Sequence, residues 1–244
     1  MRRPPLVLAL TVVLALALAP SACGTAAPPE GSVRTTITTP SGFDLDAIEL
    51  GDGPKVVVLS HGATGTKEDF YPVAEAFASD GWRVIAYDAP GVGESTGTNG
   101  RDREEALTAV VDHARETGAR QIVLLGGSMG AGLSLAMAAP LRADAVVSLS
   151  APATAYDALD AARAMPDDIA VFVAASEDNE PYASEAREIA DAAGVEAMVV
   201  SGSGHGSGVF NGHPELLAQV IAWADEAVAG SGTSEASAGA SPTP

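Results

Sequence analysis

Ser128 lies at the centre of Gly126-Gly127-Ser128-Met129-Gly130, a Gly-x-Ser-x-Gly pattern set between the short apolar run Gln121–Leu125 and a small-residue stretch that opens Met129-Gly130-Ala131-Gly132-Leu133. A strand that reverses sharply into a helix brings backbone against backbone. Glycine is then required at Gly126 and Gly130, where a Cβ would clash, and the serine hydroxyl is left exposed at the tip of the turn. A serine hydroxyl is a poor nucleophile at neutral pH and needs a histidine base and a carboxylate that orients it. Both residue types follow in the chain. The apolar run Ile169–Ala175 breaks at Ser176-Glu177-Asp178-Asn179, and the run Val195–Val200 empties into Ser201-Gly202-Ser203-Gly204-His205-Gly206. If both runs are strands of one parallel sheet, Asp178 and His205 share its carboxyl edge with Ser128, the edge at which open α/β sheets meet their ligands.

Two further turns carry a resemblance to a known family. The run Lys55–Leu59 ends in Ser60-His61-Gly62-Ala63-Thr64-Gly65, and Arg83–Tyr87 ends in Asp88-Ala89-Pro90-Gly91-Val92-Gly93-Glu94-Ser95. Together with the Ser128 elbow and the Ser, Asp, His chain order, these segments resemble the α/β-hydrolase family from about Val33 to Val228. The resemblance implies an α/β-hydrolase fold, a mostly parallel eight-stranded sheet with helices on both faces. It implies Ser128 as nucleophile, His205 as base, and Asp178, third past Ala175, as the acid, with Glu177 and Glu180 solvated beside it. The oxyanion would be met by the backbone N–H of Met129, next to the nucleophile, and of Ala63 in the His-Gly turn. Asp88 would brace its turn through Gly91 and Gly93, and His61 is expected to be structural. His113, among Asp112, Arg115 and Glu116, is expected to face solvent, and His213 before Pro214 to belong to a helix cap.

The elements that must position these residues alternate along the chain. Val33–Thr38 and Phe43–Leu50 form an antiparallel start through Pro40-Ser41-Gly42. Six apolar runs then alternate with helical stretches near Lys67–Ser79, Arg101–Thr117, Met129–Ala139, Tyr156–Ala164, Tyr182–Ala193 and Pro214–Ala229, the pattern of a parallel sheet. Only about one short helix fits between Ser150 and Ile169, so the site is expected to have a minimal lid or none. That arrangement is similar to the small dienelactone-hydrolase-like branch, whose namesakes use cysteine where this chain has Ser128.

The chain of 244 residues suits one such domain once its ends are set aside. A formal net charge of -19 repels phosphate backbones, so nucleic acid is excluded as a partner. Met1-Arg2-Arg3, the apolar stretch Leu6–Ala19 and Pro20-Ser21-Ala22-Cys23 read as a signal peptide over residues 1–22. The lone cysteine, Cys23, resembles the lipid-modified first residue of a bacterial lipoprotein, although Pro20 stands where that box usually has leucine. Residues 23–32 then form a tether, 33–229 the catalytic domain and 230–244 a disordered low-complexity tail. No Walker A pattern, dinucleotide glycine pattern or metal-spaced His/Cys cluster occurs, so no cofactor and no metal are expected.

The expected protein is a metal-independent serine hydrolase for a small-molecule acyl ester, exported and lipid-anchored through Cys23 to the outer face of the bacterial cytoplasmic membrane, or secreted. A thioesterase or small peptidase would share its acyl-enzyme route. A non-catalytic envelope-binding lipoprotein is the other class, and it places no demand on keeping Ser128, Asp178 and His205 together.

Overall fold

A computed structural model describes residues 26–98 and 102–237 of the chain. The signal segment, Cys23 and the end of the tail lie outside the described residues. Eight strands form one sheet in the order β1-β2-β4-β3-β5-β6-β7-β8. They are β1 Val33–Thr38, β2 Asp44–Leu50, β3 Lys55–Ser60, β4 Arg83–Tyr87, β5 Gln121–Gly127, β6 Ala145–Leu149, β7 Ala170–Ser176 and β8 Ala197–Val200. β2 runs antiparallel to both β1 and β4, and every pairing from β4 through β3 to β8 is parallel. The expected α/β-hydrolase fold is the observed one.

Side chains alternate across a strand, so one apolar run feeds two cores. Val56 and Val58 of β3 enter a cluster with Leu107, Val110, Leu133, Ala158 and Ile189. These come from α2 Arg103–Glu116, α3 Met129–Ala138, α4 Ala158–Arg163 and α5 Tyr182–Ala192. Val57 and Leu59 point the other way, to Val73, Phe77, Leu216 and Val220, which belong to α1 Tyr71–Ser79 and α6 Pro214–Ser237. Burial on both faces explains why the parallel strands read as unbroken apolar runs rather than as alternating ones.

Most element ends fall within one or two residues of the sequence expectation, and two of the differences bear on the tail and on the site. α6 continues to Ser237, past Ala229 and into the segment read as tail. Extending a helix already anchored by a buried stripe costs no new nucleus, and the chain meets no proline until Pro242. β7 ends at Ser176, which pairs with Val200 of β8, one residue beyond the expected Ala175. Among the described residues no helix is long and apolar enough to cross a membrane.

Candidate active site

The elbow takes the form that its glycines require. Ser128 follows β5 and precedes α3 with φ 55° and ψ -122°. This backbone region is costly for a side-chain-bearing residue, on the order of 1–3 kcal/mol. The strain is held by its surroundings. Ser128 N–H donates to Leu149 O at 2.8 Å, a Cβ on Gly126 would overlap the carbonyl of Gly130, and one on Gly130 would overlap that of Ser60. As first residue of α3, Met129 has a backbone N–H without an intrahelical acceptor, at the helix end that favours negative charge.

The turn after β3 approaches from one side. A Cβ on Gly62 would lie 3.3 Å from Ser128 Cβ and 3.8 Å from Ser128 Oγ, so this backbone passes directly over the nucleophile. His61 is 1% exposed. Its Nε2 accepts from Ala89 N–H at 2.9 Å and its Nδ1–H donates to Gly62 O at 2.7 Å, which fixes the tautomer. Burial, reinforced by the nearby Arg103 charge, pushes the His61 pKa down to about 4, so the ring is neutral and structural. Arg103 adds donors to His61 O at 3.1 Å and Gly62 O at 3.3 Å. With the Gly62 carbonyl held on that side, the planar trans peptide directs the following N–H, that of Ala63, the opposite way. Ala63 lines the cavity that contains Ser128.

Beneath this turn lies an ion cluster. Lys67 Nζ donates to Asp88 Oδ2 and Asp46 Oδ2, each at 2.6 Å, and Lys67 N–H donates to Asp88 Oδ1 at 2.7 Å. The Asp88 side chain is fully buried. Asp46 also accepts from Arg34 Nε at 2.5 Å. Burial opposes the charge of Lys67 and of Asp46, yet the hydrogen bonds between them and from Arg34 prevail. The ammonium is raised above its ordinary range and the Asp46 carboxyl held below its own. Asp88 braces its turn as expected, with Gly93 packed against its carboxylate, but its principal partner is Lys67.

His205 arrives from the other side, on the loop after β8. Its neighbour Gly206 packs on the elbow, since a Cβ on Gly127 would lie 3.0 Å from Gly206 Cα. Ser128 and His205 thus line one cavity of about 560 Å³ with Gly62, Ala63, Asp69 and Tyr182 among its walls, a volume suited to a small ligand. The cavity brings Ser128, His205, Ala63 and Gly127 together, and Met129 is not among its lining residues. It does not bring in Asp178. His205 Nδ1–H donates instead to Asn179 Oδ1 at 2.8 Å, and the imidazole packs against the Tyr182 ring, centroids 4.3 Å apart. Asp178 is exposed, and its backbone N–H donates to Gly202 O at 2.8 Å. The physical reason is that the N–H groups of Glu177 and Asp178 continue the pairing with the chain after β8, so that Asn179, whose own N–H turns back to Ser176 O, is the residue set beside His205. Desolvation of the ring against the cavity wall, unopposed by any carboxylate, lowers the His205 pKa even though the residue as a whole is exposed.

Other titratable residues stand mostly where the sequence suggests. His213 bonds Glu215 and Ser201 O at the start of α6. His113 does not face solvent freely, because its Nε2 meets Glu49 Oε1 of β2 at 2.8 Å. Sequence reasoning missed Asn179, Tyr182, Arg103 and Asp69. Only Asn179 lay in the segment that carries the expected acid, and the strand end that selects it is set by the Ser176–Val200 pairing rather than by the apolar run. None of residues 150–169 lines the cavity, so α4 does not act as a lid. Among the described residues, no group of acidic, histidine or cysteine side chains could hold a metal ion.

Residues 55–177 match the family model for the alpha/beta hydrolase fold. No curated protein matches the chain. Among solved structures, the esterase Pf2001 of Pyrococcus furiosus superposes with a TM-score of 0.68 at 17% identity, over 80% of this chain and 92% of that one. A predicted CIB-like hydrolase from Thermoplasma acidophilum gives 0.65 at 20% identity, over 79% and 97%. XC6422 from Xanthomonas campestris, described as a serine hydrolase without a lid, gives 0.61 at 20% identity, over 82% and 94%. At these identities the likeness is one of fold.

Proposed function

The chain belongs to the α/β-hydrolase family, and we propose that within it the protein is a serine hydrolase that cleaves small carboxylic esters through an acyl-enzyme. One observation carries this reading: a serine held at φ 55° on a strand-to-helix turn shares a cavity with a histidine whose Nδ1 is already bonded, leaving Nε2 free to act as base. In the reaction Ser128 Oγ bonds to the ester carbonyl carbon as its proton passes to His205 Nε2. The carbonyl oxygen gains the electron pair and is met by the N–H groups of Met129 and Ala63. Collapse expels the alkoxide, which takes the proton from His205, and water then repeats the sequence to release the acid. An open cavity without a covering helix favours short, varied acyl groups over long chains. The same route would serve thioesters or small peptides, and a panel of p-nitrophenyl esters of increasing length, run beside thioester and peptide substrates, separates them.

The decisive experiment is labelling by a fluorophosphonate probe. It should modify the wild-type protein at Ser128 and leave Ser128→Ala untouched, and an unlabelled wild type would sink the reading. We further propose export and anchoring through a lipid on Cys23, supported by the basic and apolar leader and the small residues before the cysteine. Cys23→Ser should move the protein to the medium or leave it unprocessed. Retention on the membrane with a cleaved leader would refute the anchor.

A further inference from the structure

We propose that Asn179, and not the neighbouring Asp178, is the positioning residue for the base, so that the site is Ser128–His205–Asn179 with an uncharged amide as its third member. This rests on the serine-hydrolase reading above and specifies how its base is held. Asn179 sits where the fold fixes a side chain. Its N–H donates to Ser176 O at 3.1 Å, closing the turn after β7, and its carbonyl accepts from Ala183 N–H at 3.1 Å, opening α5. Glu177 and Asp178, by contrast, continue the pairing with the chain after β8, their N–H groups donating to Val200 O at 2.7 Å and Gly202 O at 2.8 Å. Their side chains are exposed while that of Asn179 is half-buried. The turn therefore presents one side chain to the imidazole, and it is the amide.

The His205 ring is held on its edge by Asn179 Oδ1 at 2.8 Å and packs against the Tyr182 ring, tilted by 50° with centroids 4.3 Å apart. Oδ1 can only accept, so Nδ1 carries the proton and the Nε2 lone pair is left for the serine hydroxyl. An amide fixes the tautomer as a carboxylate would, but it brings no charge to stabilise the imidazolium formed during attack. The other charged groups facing this region are Asp69, across the cavity, and the exposed Glu177, Asp178 and Glu180 on the loop itself. Among the described residues none forms an ion pair with His205, and burial alone lowers its pKa.

The test compares wild type, Asn179→Ala, Asn179→Asp and Asp178→Ala by the pH dependence of fluorophosphonate labelling and by NMR titration of the His205 ring. Asn179→Ala should slow labelling by roughly 10- to 100-fold, within the range that proton transfer by a positioned base supplies. Asn179→Asp, nearly isosteric and therefore still folded, should raise both the His205 titration and the acid limb of labelling by about one pH unit or more, because a carboxylate replaces an amide against the ring. Asp178→Ala should label at the wild-type rate with an unmoved limb. The proposal is overturned if Asp178→Ala is the crippling change, or if Asn179→Asp leaves the titration and the limb where they were. Failure of the hydrolase reading looks different, because the wild type itself then goes unlabelled at every pH, and the proposal falls with it.

Discussion

The two sides of Ser128 are built in opposite ways. On the side of the proposed oxyanion donors, His61, Asp88, Lys67 and Arg103 are all nearly excluded from solvent and are held by hydrogen bonds, most of them from charged groups. On the base side, His205 is exposed, its partner is a neutral amide, and the carboxylates of its loop face water. The contrast follows from what each side must do. A backbone N–H aimed at a developing oxyanion works only if it does not reorganise, and a buried ionic lattice holds a turn rigidly. A base must give and take a proton within reach of solvent. Its ring needs a fixed tautomer, which one hydrogen bond supplies, and a fixed orientation, which the tilted Tyr182 ring packed against it supports.

The largest effect should come from the residue between the two sides. Ser128→Ala should lower kcat by roughly 10⁴-fold or more, since neither flank can replace the nucleophile. The fold should persist, and thermal unfolding should occur at or above the wild-type temperature. A folded Ser128→Ala protein with near-normal esterase turnover would mean that neither flank belongs to a serine mechanism.

The two flanks also differ in how far they could be read from sequence. The elbow was legible because its glycines answer to a local steric demand, and the Gly126–Gly130 and Gly130–Ser60 approaches are that demand. His61 was legible as structural because it begins a tight turn. Arg103 and Lys67 were not, since the first reaches back to His61 and Gly62 and the second joins Asp46 to Asp88, contacts between segments far apart in the chain. Asn179 was missed for a subtler reason. Where β7 stops depends on how far β8 pairs with it, and the Ser176–Val200 pairing is invisible in the apolar run alone. How far the chain after β7 stays paired decides whether an aspartate or an asparagine meets the His205 ring.

The second prediction concerns stability and singles out the oxyanion side. Lys67→Met leaves Asp88 and Asp46 buried without their shared cation, which should cost about 3–5 kcal/mol in denaturant unfolding. Tyr182→Leu on the base side removes only an exposed-edge ring contact and should cost about 1 kcal/mol or less. Equal losses would erase the contrast. The ionic side also has a signed pH dependence. Asp46 is held below its ordinary range, so its contribution is complete above the carboxylate's unfolded pKa, about 3.9, and is lost as pH falls through the lower folded value. Lys67 is raised, so its contribution is complete below about 10.4 and is lost as pH rises through the higher folded value.

The smallest and most discriminating effect separates the two histidines, both lowered by burial but with different readouts. His61 falls to about 4 in the folded protein against about 6.5 when unfolded. A group with a lowered folded pKa favours folding at high pH, and that advantage is lost as acid protonates the unfolded chain first. Wild-type stability should therefore decline from about pH 6.5 down to about pH 4, by on the order of 3 kcal/mol at about 1.4 kcal/mol per unit. His61→Ala should be less stable throughout yet show a flatter decline across that window, measured as urea midpoints at each pH. His205 governs activity instead. With desolvation lowering its pKa and no carboxylate against the ring, the acid limb of kcat/KM should lie below the ordinary histidine value of about 6.5. An acid limb well above that value would require a carboxylate on the imidazole, and would bring the base side closer in construction to the oxyanion side than the Asn179 contact allows.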